Sequence, residues 1–121
     1  MIKGLIVTPL NHIEVDGGDV LHAMKVDDGG ACGFGEAYFS EIFPGSIKAW
    51  KRHTMMTLNL VVPIGAIKFV IMDDRNENQI FFEEITLSRD HYCRLTVPPM
   101  VWMGFQGVDA STSLLLNIAS I

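Results

Sequence analysis

The feature of this sequence that most constrains its fold is a series of short runs of alternating apolar and polar residues. Gly, Pro, Asn or Asp bounds each run. The runs recur at roughly ten-residue spacing, a pattern typical of an all-β sandwich or barrel. They predict strands over residues 2–8, 35–43, 46–53, 57–62, 66–72, 79–86, 92–97, 101–107 and 111–119. Helical periodicity is confined to one turn at residues 19–24, where Asp19 is a candidate N-terminal cap.

The length and composition predict one domain that associates with a second copy of itself. A chain of 121 residues has room for a single core, and hydrophobic residues make up 49% of it against 19% charged. The mean hydropathy of +0.29 is apolar for a monomer of this size, so we expect a homodimer that buries part of its surface. No apolar run approaches the roughly 20 residues of a membrane span, so we expect no membrane partner and a cytoplasmic location.

The charged residues and cysteines narrow the class of partner. Cys32 and Cys93 are too few and too far apart for a disulfide framework or a zinc site, so both are predicted to be free thiols. The net charge of −5 argues against a nucleic-acid partner. Lys48, Lys51 and Arg52 nevertheless lie close together, beside His53. This cationic cluster indicates either a specific anionic ligand or a solvated strand end.

Three stretches of the sequence form distinctive motifs. Residues 45–75 read GSIKAWKRHTMMTLNLVVPIGAIKFVIMDDR, residues 35–41 read GEAYFSE, and residues 92–107 read YCRLTVPPMVWMGFQG. Taken jointly they resemble the dTDP-4-dehydrorhamnose 3,5-epimerase family of sugar-nucleotide cupins. The resemblance implies an all-β, single-domain double-stranded β-helix, that is, a jelly-roll barrel. It also implies a homodimer that exchanges residues 2–8, and a nucleotide-linked 4-keto-6-deoxy sugar as ligand.

Strand alternation predicts which side chains meet inside such a barrel. Lys51 and His53 lie two apart and point to one face, whereas Arg52 points to the other. Thr57 and Asn59 share a face of the next predicted strand. The resemblance implies that this face lines the barrel interior, so these four side chains are predicted to share one cavity. The predicted substrate-binding residues are Lys48, Arg52, Thr57, Asn59 and Trp102, with aromatic core packing as the alternative for Trp102.

The catalytic groups are harder to assign than the fold. The resemblance implies a histidine base at the position of Lys51, and a lysine acts as a base only when its pKa falls several units below about 10.4. An unperturbed imidazole titrates near pH 6.5, so His53 is the favoured base and Lys51 the second catalytic candidate. Tyr38 and Tyr92 are predicted to be packed strand residues rather than replacement acids.

The cavity is predicted to hold no metal and no cofactor. Metal-binding cupins use histidines and a carboxylate, but the corresponding positions here read Lys51, His53, Leu58 and Met103. One imidazole does not supply the three or four donors that a transition metal requires.

Two hypotheses of different class follow. The first is a metal-independent 3,5-epimerase, with a 3,4-ketoisomerase as the next possibility, in surface-polysaccharide biosynthesis. The second is a non-catalytic cupin that binds a sugar nucleotide but has lost the base and the acid.

Overall fold

Strands make up all the regular secondary structure of the protein. The computed structural model describes residues 1–121 and contains eleven strands and no helix. The strands are β1 (Ile6–Pro9), β2 (His12–Ile13), β3 (Val20–Leu21), β4 (Glu36–Ile42), β5 (Ile47–Arg52), β6 (Leu58–Ile64), β7 (Ala66–Asn76), β8 (Gln79–Ser88), β9 (Cys93–Val97), β10 (Trp102–Gly107) and β11 (Ser113–Ala119). The all-β class predicted from the alternating runs is confirmed.

The strands form two main antiparallel sheets. The five-stranded sheet has the order β1-β9-β6-β11-β4, and the four-stranded sheet has the order β5-β10-β7-β8. Strands β2 and β3 pair separately as a small hairpin. The chain crosses between the two main sheets repeatedly, for example from β4 to β5 and from β6 to β7. This arrangement is the jelly-roll form of a double-stranded β-helix.

The core lies between the two main sheets and follows the two-residue period of the strands. In β7 the side chains of Ile67, Phe69 and Ile71 are fully buried, because alternate residues of a strand point to the same face. Leu58 and Leu60 of β6 belong to the same core. The single residue between them therefore points to the opposite face of the five-stranded sheet.

The start of the chain is tied to the β7–β8 hairpin. Ile2 is buried, and its backbone N–H donates to a Glu83 carboxylate oxygen at 3.0 Å. Arg75 donates to the backbone oxygen of Lys3 and makes two side-chain hydrogen bonds to Asp73. The Asp73–Arg75 pair thus has a structural role at this hairpin.

The prediction of a helical turn at residues 19–24 is wrong. Val20 and Leu21 form β3 and pair with β2. The Asp19 carboxylate lies 2.7 Å from His12 Nε2 and accepts a 3.4 Å hydrogen bond from the Val15 backbone N–H. The Asp carboxylate accepts hydrogen bonds from nearby backbone N–H groups both when it caps a helix and when it closes a turn. The local sequence therefore does not distinguish the two structures.

Two smaller expectations concern the thiols and the membrane. Cys32 and Cys93 are both free thiols, as predicted. The structure contains no helix that is long and apolar enough to cross a membrane.

Candidate active site

A cavity of about 300 Å³ opens between the two main sheets. Side chains of β4, β5, β6, β10 and β11 line it together with His53, which follows β5. The lining residues are Tyr38, Ser40, Lys48, Ala49, Trp50, Lys51, His53, Leu58, Met103, Phe105 and Asn117. Lys51 and His53 are thereby brought together, as strand alternation predicted, and Lys48 lines the same cavity.

An irregularity in the pairing of β5 with β10 places two lysines on the cavity side. Lys51 pairs with Met103 and Lys48 pairs with Phe105, and the register shifts between these pairs. Residues three apart on a regular strand point to opposite faces, but an extra residue in one strand restores them to the same face. The bulge therefore lets both ammonium groups reach the cavity.

Gly104 makes room for this bulge. A Cβ atom at Gly104 would lie 2.9 Å from the Cβ of Ala49 and 3.5 Å from the ring of Trp50. The Trp50 ring, which is 51% exposed, therefore lies on the outer face of the sheet with Lys68 and Val70. A larger residue than glycine at position 104 would push the bulged strand away from β10.

His53 is held at the end of β5 by its backbone. Its carbonyl oxygen accepts a 2.7 Å hydrogen bond from the N–H of Met100, which has a positive φ of 73° in the turn before β10. Burial lowers the pKa of the His53 imidazole below 6.5, and the positive charge of Lys51 lowers it further. The ring is consequently neutral at pH 7, which is the form that accepts a proton.

Lys48 and Lys51 supply positive charge beside this neutral imidazole. Lys48 Nζ donates to the backbone oxygen of Glu41 at 2.9 Å, so its ammonium group is held near β4. Lys51 is exposed, so the burial that a lysine base requires is not present. The two lysines suit an anionic ligand or a developing negative charge.

A polar group that the sequence predictions missed lies on the β4–β11 side of the cavity. Tyr38 is 41% exposed and lines the cavity, so the prediction that it is a packed strand residue is wrong. Asn117 pairs with Tyr38 in the register of β11 with β4, and its side chain contacts Ser40. Alternation along β4 places Tyr38 and Ser40 on the face of buried Ile42, and that pattern was available in the sequence.

Tyr92 behaves as predicted. It is buried, its hydroxyl donates a 2.7 Å hydrogen bond to the backbone oxygen of His22, and burial raises its pKa. Tyr38 is thus the tyrosine available to a ligand in the cavity.

Arg52 and Trp102 lie outside the cavity, which corrects their predicted place among the ligand-binding residues. They are direct partners in the β5–β10 register, and the Arg52 guanidinium sits 4.8 Å from the centroid of the Trp102 ring. This cation–π contact lies on the outer face of the four-stranded sheet, because Met103 beside Trp102 faces inward. Arg52 does point away from Lys51 and His53, as alternation predicted.

Asn59 also lies outside the cavity, and its predicted position beside His53 is wrong. Since Leu58 points into the barrel, Asn59 points to the opposite face of β6. There its side-chain oxygen accepts hydrogen bonds from Arg94 Nε at 3.0 Å and from Thr96 Oγ1 at 2.6 Å. Its side-chain nitrogen donates to the backbone oxygen of Gly30 at 3.0 Å. Thr57, the other predicted member, is not among the lining residues, and its backbone N–H donates to Ser120 Oγ.

Asn59 belongs to a closed polar group that we call the Arg94 cluster: Asp28, Asn59, Arg94 and Thr96. Arg94 is fully buried, and it donates to Asn59, to an Asp28 carboxylate oxygen at 3.1 Å and to the backbone oxygens of residues 23 and 29. The segment formed by residues 22–30 thereby covers the outer face of β6 and β9. This cluster holds the segment in place and does not contribute to the cavity.

The four positions that correspond to metal ligands in metal-binding cupins all line the cavity. Lys51, Leu58 and Met103 line the cavity with His53, so one imidazole is the sole strong nitrogen ligand among these four positions. The chain has no group of three or more His, Cys, Asp or Glu residues that could hold a metal ion.

Similarity to a solved structure identifies the family of this chain. No protein-family model matches the chain. The crystal structure of a dTDP sugar isomerase from Desulfovibrio desulfuricans G20 is 38% identical, with a TM-score of 0.95 over 99% of this chain and 78% of that one. The chain belongs to the dTDP-sugar epimerase and isomerase family of cupins.

Two other sugar isomerases and epimerases share the fold at lower identity. A sugar 3,4-ketoisomerase from Thermoanaerobacterium thermosaccharolyticum, solved with TDP, is 16% identical with a TM-score of 0.81, covering 100% of this chain and 83% of that one. The 3,5-epimerase of Legionella pneumophila, solved with dTDP-4-keto-L-rhamnose, is also 16% identical, with a TM-score of 0.84 over 98% of this chain and 68% of that one.

The chain is also similar in sequence to a probable low-salt glycan biosynthesis epimerase of Haloferax volcanii. It is 30% identical over 84 residues, which are 67% of this chain and 54% of that protein. The matched region thus spans about half the length of this relative.

Proposed function

We propose that the protein is a metal-independent isomerase that moves a proton on the carbon next to the ketone of a nucleotide-linked 4-keto-6-deoxy sugar. The observation that carries the proposal is the grouping of neutral His53 with Lys48, Lys51 and Tyr38 around one cavity. A base, a cation and a hydroxyl are the groups that enolisation requires. The ketone of the substrate supplies the electron sink, so the reaction needs no redox step.

The proposed reaction begins with proton transfer to His53. The imidazole removes a proton from the carbon beside the ketone, and the electron pair of that C–H bond forms an enolate whose negative charge lies on the ketone oxygen. Lys51 stabilises this oxyanion. Tyr38 then donates its hydroxyl proton to the enolate, and the protonated His53 restores the tyrosine proton through solvent. Return of the proton to the opposite face of the same carbon gives epimerisation. When the proton is removed from C3, its delivery to C4 instead, with transfer of the C3 hydroxyl proton to the C4 oxygen, gives ketoisomerisation.

We propose that the nucleotide lies toward the cationic side of the cavity. Lys48 and Lys51 suit the diphosphate. This local positive charge on a chain of net charge −5 favours a specific anionic ligand over general attraction to polyanions.

The test is solvent deuterium incorporation into dTDP-4-keto-6-deoxyglucose with the pure protein, followed by NMR. Exchange at C3 and C5 supports a 3,5-epimerase, which is the reaction that we propose first. Exchange at C3 with rearrangement of the ketone supports a 3,4-ketoisomerase. Tyr38→Phe is expected to slow either reaction, and Tyr92→Phe, whose hydroxyl lies outside the cavity, is the matched control.

Absence of exchange with several nucleotide sugars that nevertheless bind would contradict the catalytic proposal. That result would favour the second candidate, a sugar-nucleotide-binding cupin. The specific observation behind this alternative is that the cavity position at which the family resemblance implies a base carries exposed Lys51.

The proposal extends to the assembly and setting of the protein. We propose a homodimer, since Phe39 of edge strand β4 and Phe43, just after that strand, are each 64% exposed. The first strand, expected to exchange between subunits, pairs with β9 of its own chain in this structure. We also propose a cytoplasmic role in surface-polysaccharide biosynthesis. The Haloferax volcanii relative, a probable glycan biosynthesis epimerase, supports a role in glycan biosynthesis. Sedimentation that detects only monomer at micromolar concentration would contradict the dimer.

A further inference from the structure

The cavity wall formed by β4 and β11 carries one amide side chain whose hydrogen bonding is incomplete. Asn117 lies on β11 between Leu115 and Ala119, both of which belong to the core. It is only 6% exposed and it lines the cavity. A buried amide is costly unless its polar atoms find partners, so the bonding of each atom is informative.

The hydrogen bonds of Asn117 fix the orientation of its amide. The Nδ2 atom donates to the backbone oxygen of Tyr38 at 3.3 Å, to Ser40 Oγ at 3.1 Å and to the backbone oxygen of Leu115 at 3.4 Å. Two of these three partners are carbonyl oxygens, which only accept. A flipped amide would place its own oxygen against them, so Nδ2 must face these groups and Oδ1 must face the other way.

Asn117 Oδ1 has no hydrogen-bond partner within the protein. Every fully buried side-chain nitrogen or oxygen of the chain does have one. The unpartnered Oδ1 is therefore accessible, and the cavity that Asn117 lines is the space it reaches. The protein presents there a fixed acceptor of hydrogen bonds.

Ser40 supplies the complementary donor. Its Oγ accepts from Asn117 Nδ2, and its own hydrogen has no acceptor within the protein, so it is free to point into the cavity. The pair thus offers one neutral acceptor and one neutral donor. An alcohol donates one hydrogen and accepts one, whereas phosphate oxygens only accept and would be repelled by the carbonyl oxygen of the amide.

We propose that Asn117 and Ser40 form a specificity site that binds one hydroxyl group of the substrate sugar ring. This inference rests on the proposed function, because it requires a sugar nucleotide in the cavity. A volume of about 300 Å³ lies at the lower end of ligand pockets, which suits a sugar ring inside and the nucleotide toward the lysines. The thymine imide has similar hydrogen-bonding groups, so the test must separate sugar from nucleotide.

The experiment compares the affinities of dTDP and dTDP-4-keto-6-deoxyglucose for wild-type protein and Asn117→Leu by calorimetry. We expect Asn117→Leu to weaken binding of the nucleotide sugar by about tenfold to hundredfold and to leave dTDP binding unchanged. Asn78→Leu, in the exposed turn between β7 and β8, is the control and should change neither. An equal loss for dTDP would mean that Asn117 contacts the nucleotide, and no loss for either ligand would also overturn the inference.

A second measurement uses the wild-type protein, in case Asn117→Leu does not fold. Analogues of the nucleotide sugar with hydrogen in place of the C2 or the C3 hydroxyl are compared with the parent compound. One analogue should lose about tenfold or more in affinity, and Ser40→Ala should reduce that difference. If neither deoxy analogue is weaker, the inference fails while the proposed function stands. If the wild-type protein binds no sugar nucleotide, the proposed function itself fails.

Discussion

Two clusters of polar side chains lie on opposite sides of the five-stranded sheet. In one cluster the hydrogen bonds are complete, and in the other they are not. In the Arg94 cluster, a fully buried guanidinium uses four hydrogen bonds to hold Asn59, Asp28 and two backbone oxygens. In the cavity, Tyr38, Ser40, Lys51, His53 and Asn117, which we call the cavity cluster, leave donors and acceptors directed into open space.

The difference separates a structural role from a ligand-binding one. A satisfied buried network contributes to stability and leaves no capacity for a ligand. Unpaired polar atoms beside a cavity carry a free-energy cost, and a ligand that forms hydrogen bonds with them offsets that cost. Substitutions in the Arg94 cluster should therefore change stability, and substitutions in the cavity cluster should change binding or turnover.

The largest effect is expected at His53. His53→Asn removes the proposed base, so solvent exchange should slow by roughly two to four orders of magnitude. The melting temperature and dTDP affinity should stay near those of the wild type. The matched control is His91→Asn, because His91 is an exposed residue bonded to the backbone oxygen of Thr86. Exchange that survives His53→Asn but disappears in Lys51→Ala would mean that Lys51 is the base.

The next effect concerns the Arg94 cluster. Arg94→Met removes one of the two donors to the Asn59 side-chain oxygen and the donor to Asp28 and to two backbone oxygens, so the unfolding free energy should fall by about 3 kcal/mol. Thermal denaturation should detect a decrease of about 10 °C. Arg89→Met, which removes an exposed bond to Pro63, is the control. A stable variant with impaired ligand binding would contradict the division between the two clusters.

Lys51 should have a smaller effect, on the ligand. Lys51→Ala removes a cation from the cavity cluster and should weaken nucleotide-sugar binding about tenfold, whereas Lys68→Ala, on the outer face of its sheet, should not. Lys51→His restores the residue that the family resemblance implies. A gain of 3,5-epimerase activity in Lys51→His would indicate that the scaffold remains competent for that reaction.

The pH dependence sharpens the assignment of His53. Only the neutral imidazole accepts a proton, so activity should be present above the pKa of His53 and lost as the pH falls through it. Burial and then Lys51 lower this pKa below 6.5, so the acidic limb of kcat/KM should have its midpoint below pH 6.5. Lys51→Ala should move the midpoint upward by removing one of these two causes. A midpoint above pH 6.5 in the wild type would contradict the assignment.

The smallest effect is expected from metal removal. The cavity offers one imidazole where Lys51, Leu58 and Met103 occupy the other ligand positions, so exhaustive chelation should leave melting temperature and exchange rate unchanged. Stoichiometric metal in the purified protein, lost together with activity on chelation, would refute this.

The sequence predicted most of the fold because strand alternation and turn residues act locally. Runs bounded by Gly, Pro and Asn predicted the nine main strands to within a few residues at most ends. Alternation also placed Lys51 and His53 on one face and Arg52 on the other. Those predictions depend on the two-residue period of a strand, which needs no knowledge of what lies opposite.

The site predictions failed where the answer depended on contacts between distant parts of the chain. Asn59 was expected in the cavity, yet burial of its neighbour Leu58 in the core turned it toward Arg94 and the segment of residues 22–30. Asp19 was expected to cap a helix, yet it closes a hairpin with His12.

By itself, then, the sequence determined the strands, the jelly-roll class and the shared face of Lys51 and His53. Only the tertiary structure decided which face of β6 is the inside and that Lys48 and Lys51 share a face across a bulge. It also decided that Tyr38 and Asn117 meet the lysines around one cavity. The reason is physical: the period of a strand is a property of its own backbone, whereas the face that meets solvent, core or ligand is set by the strands that pack against it.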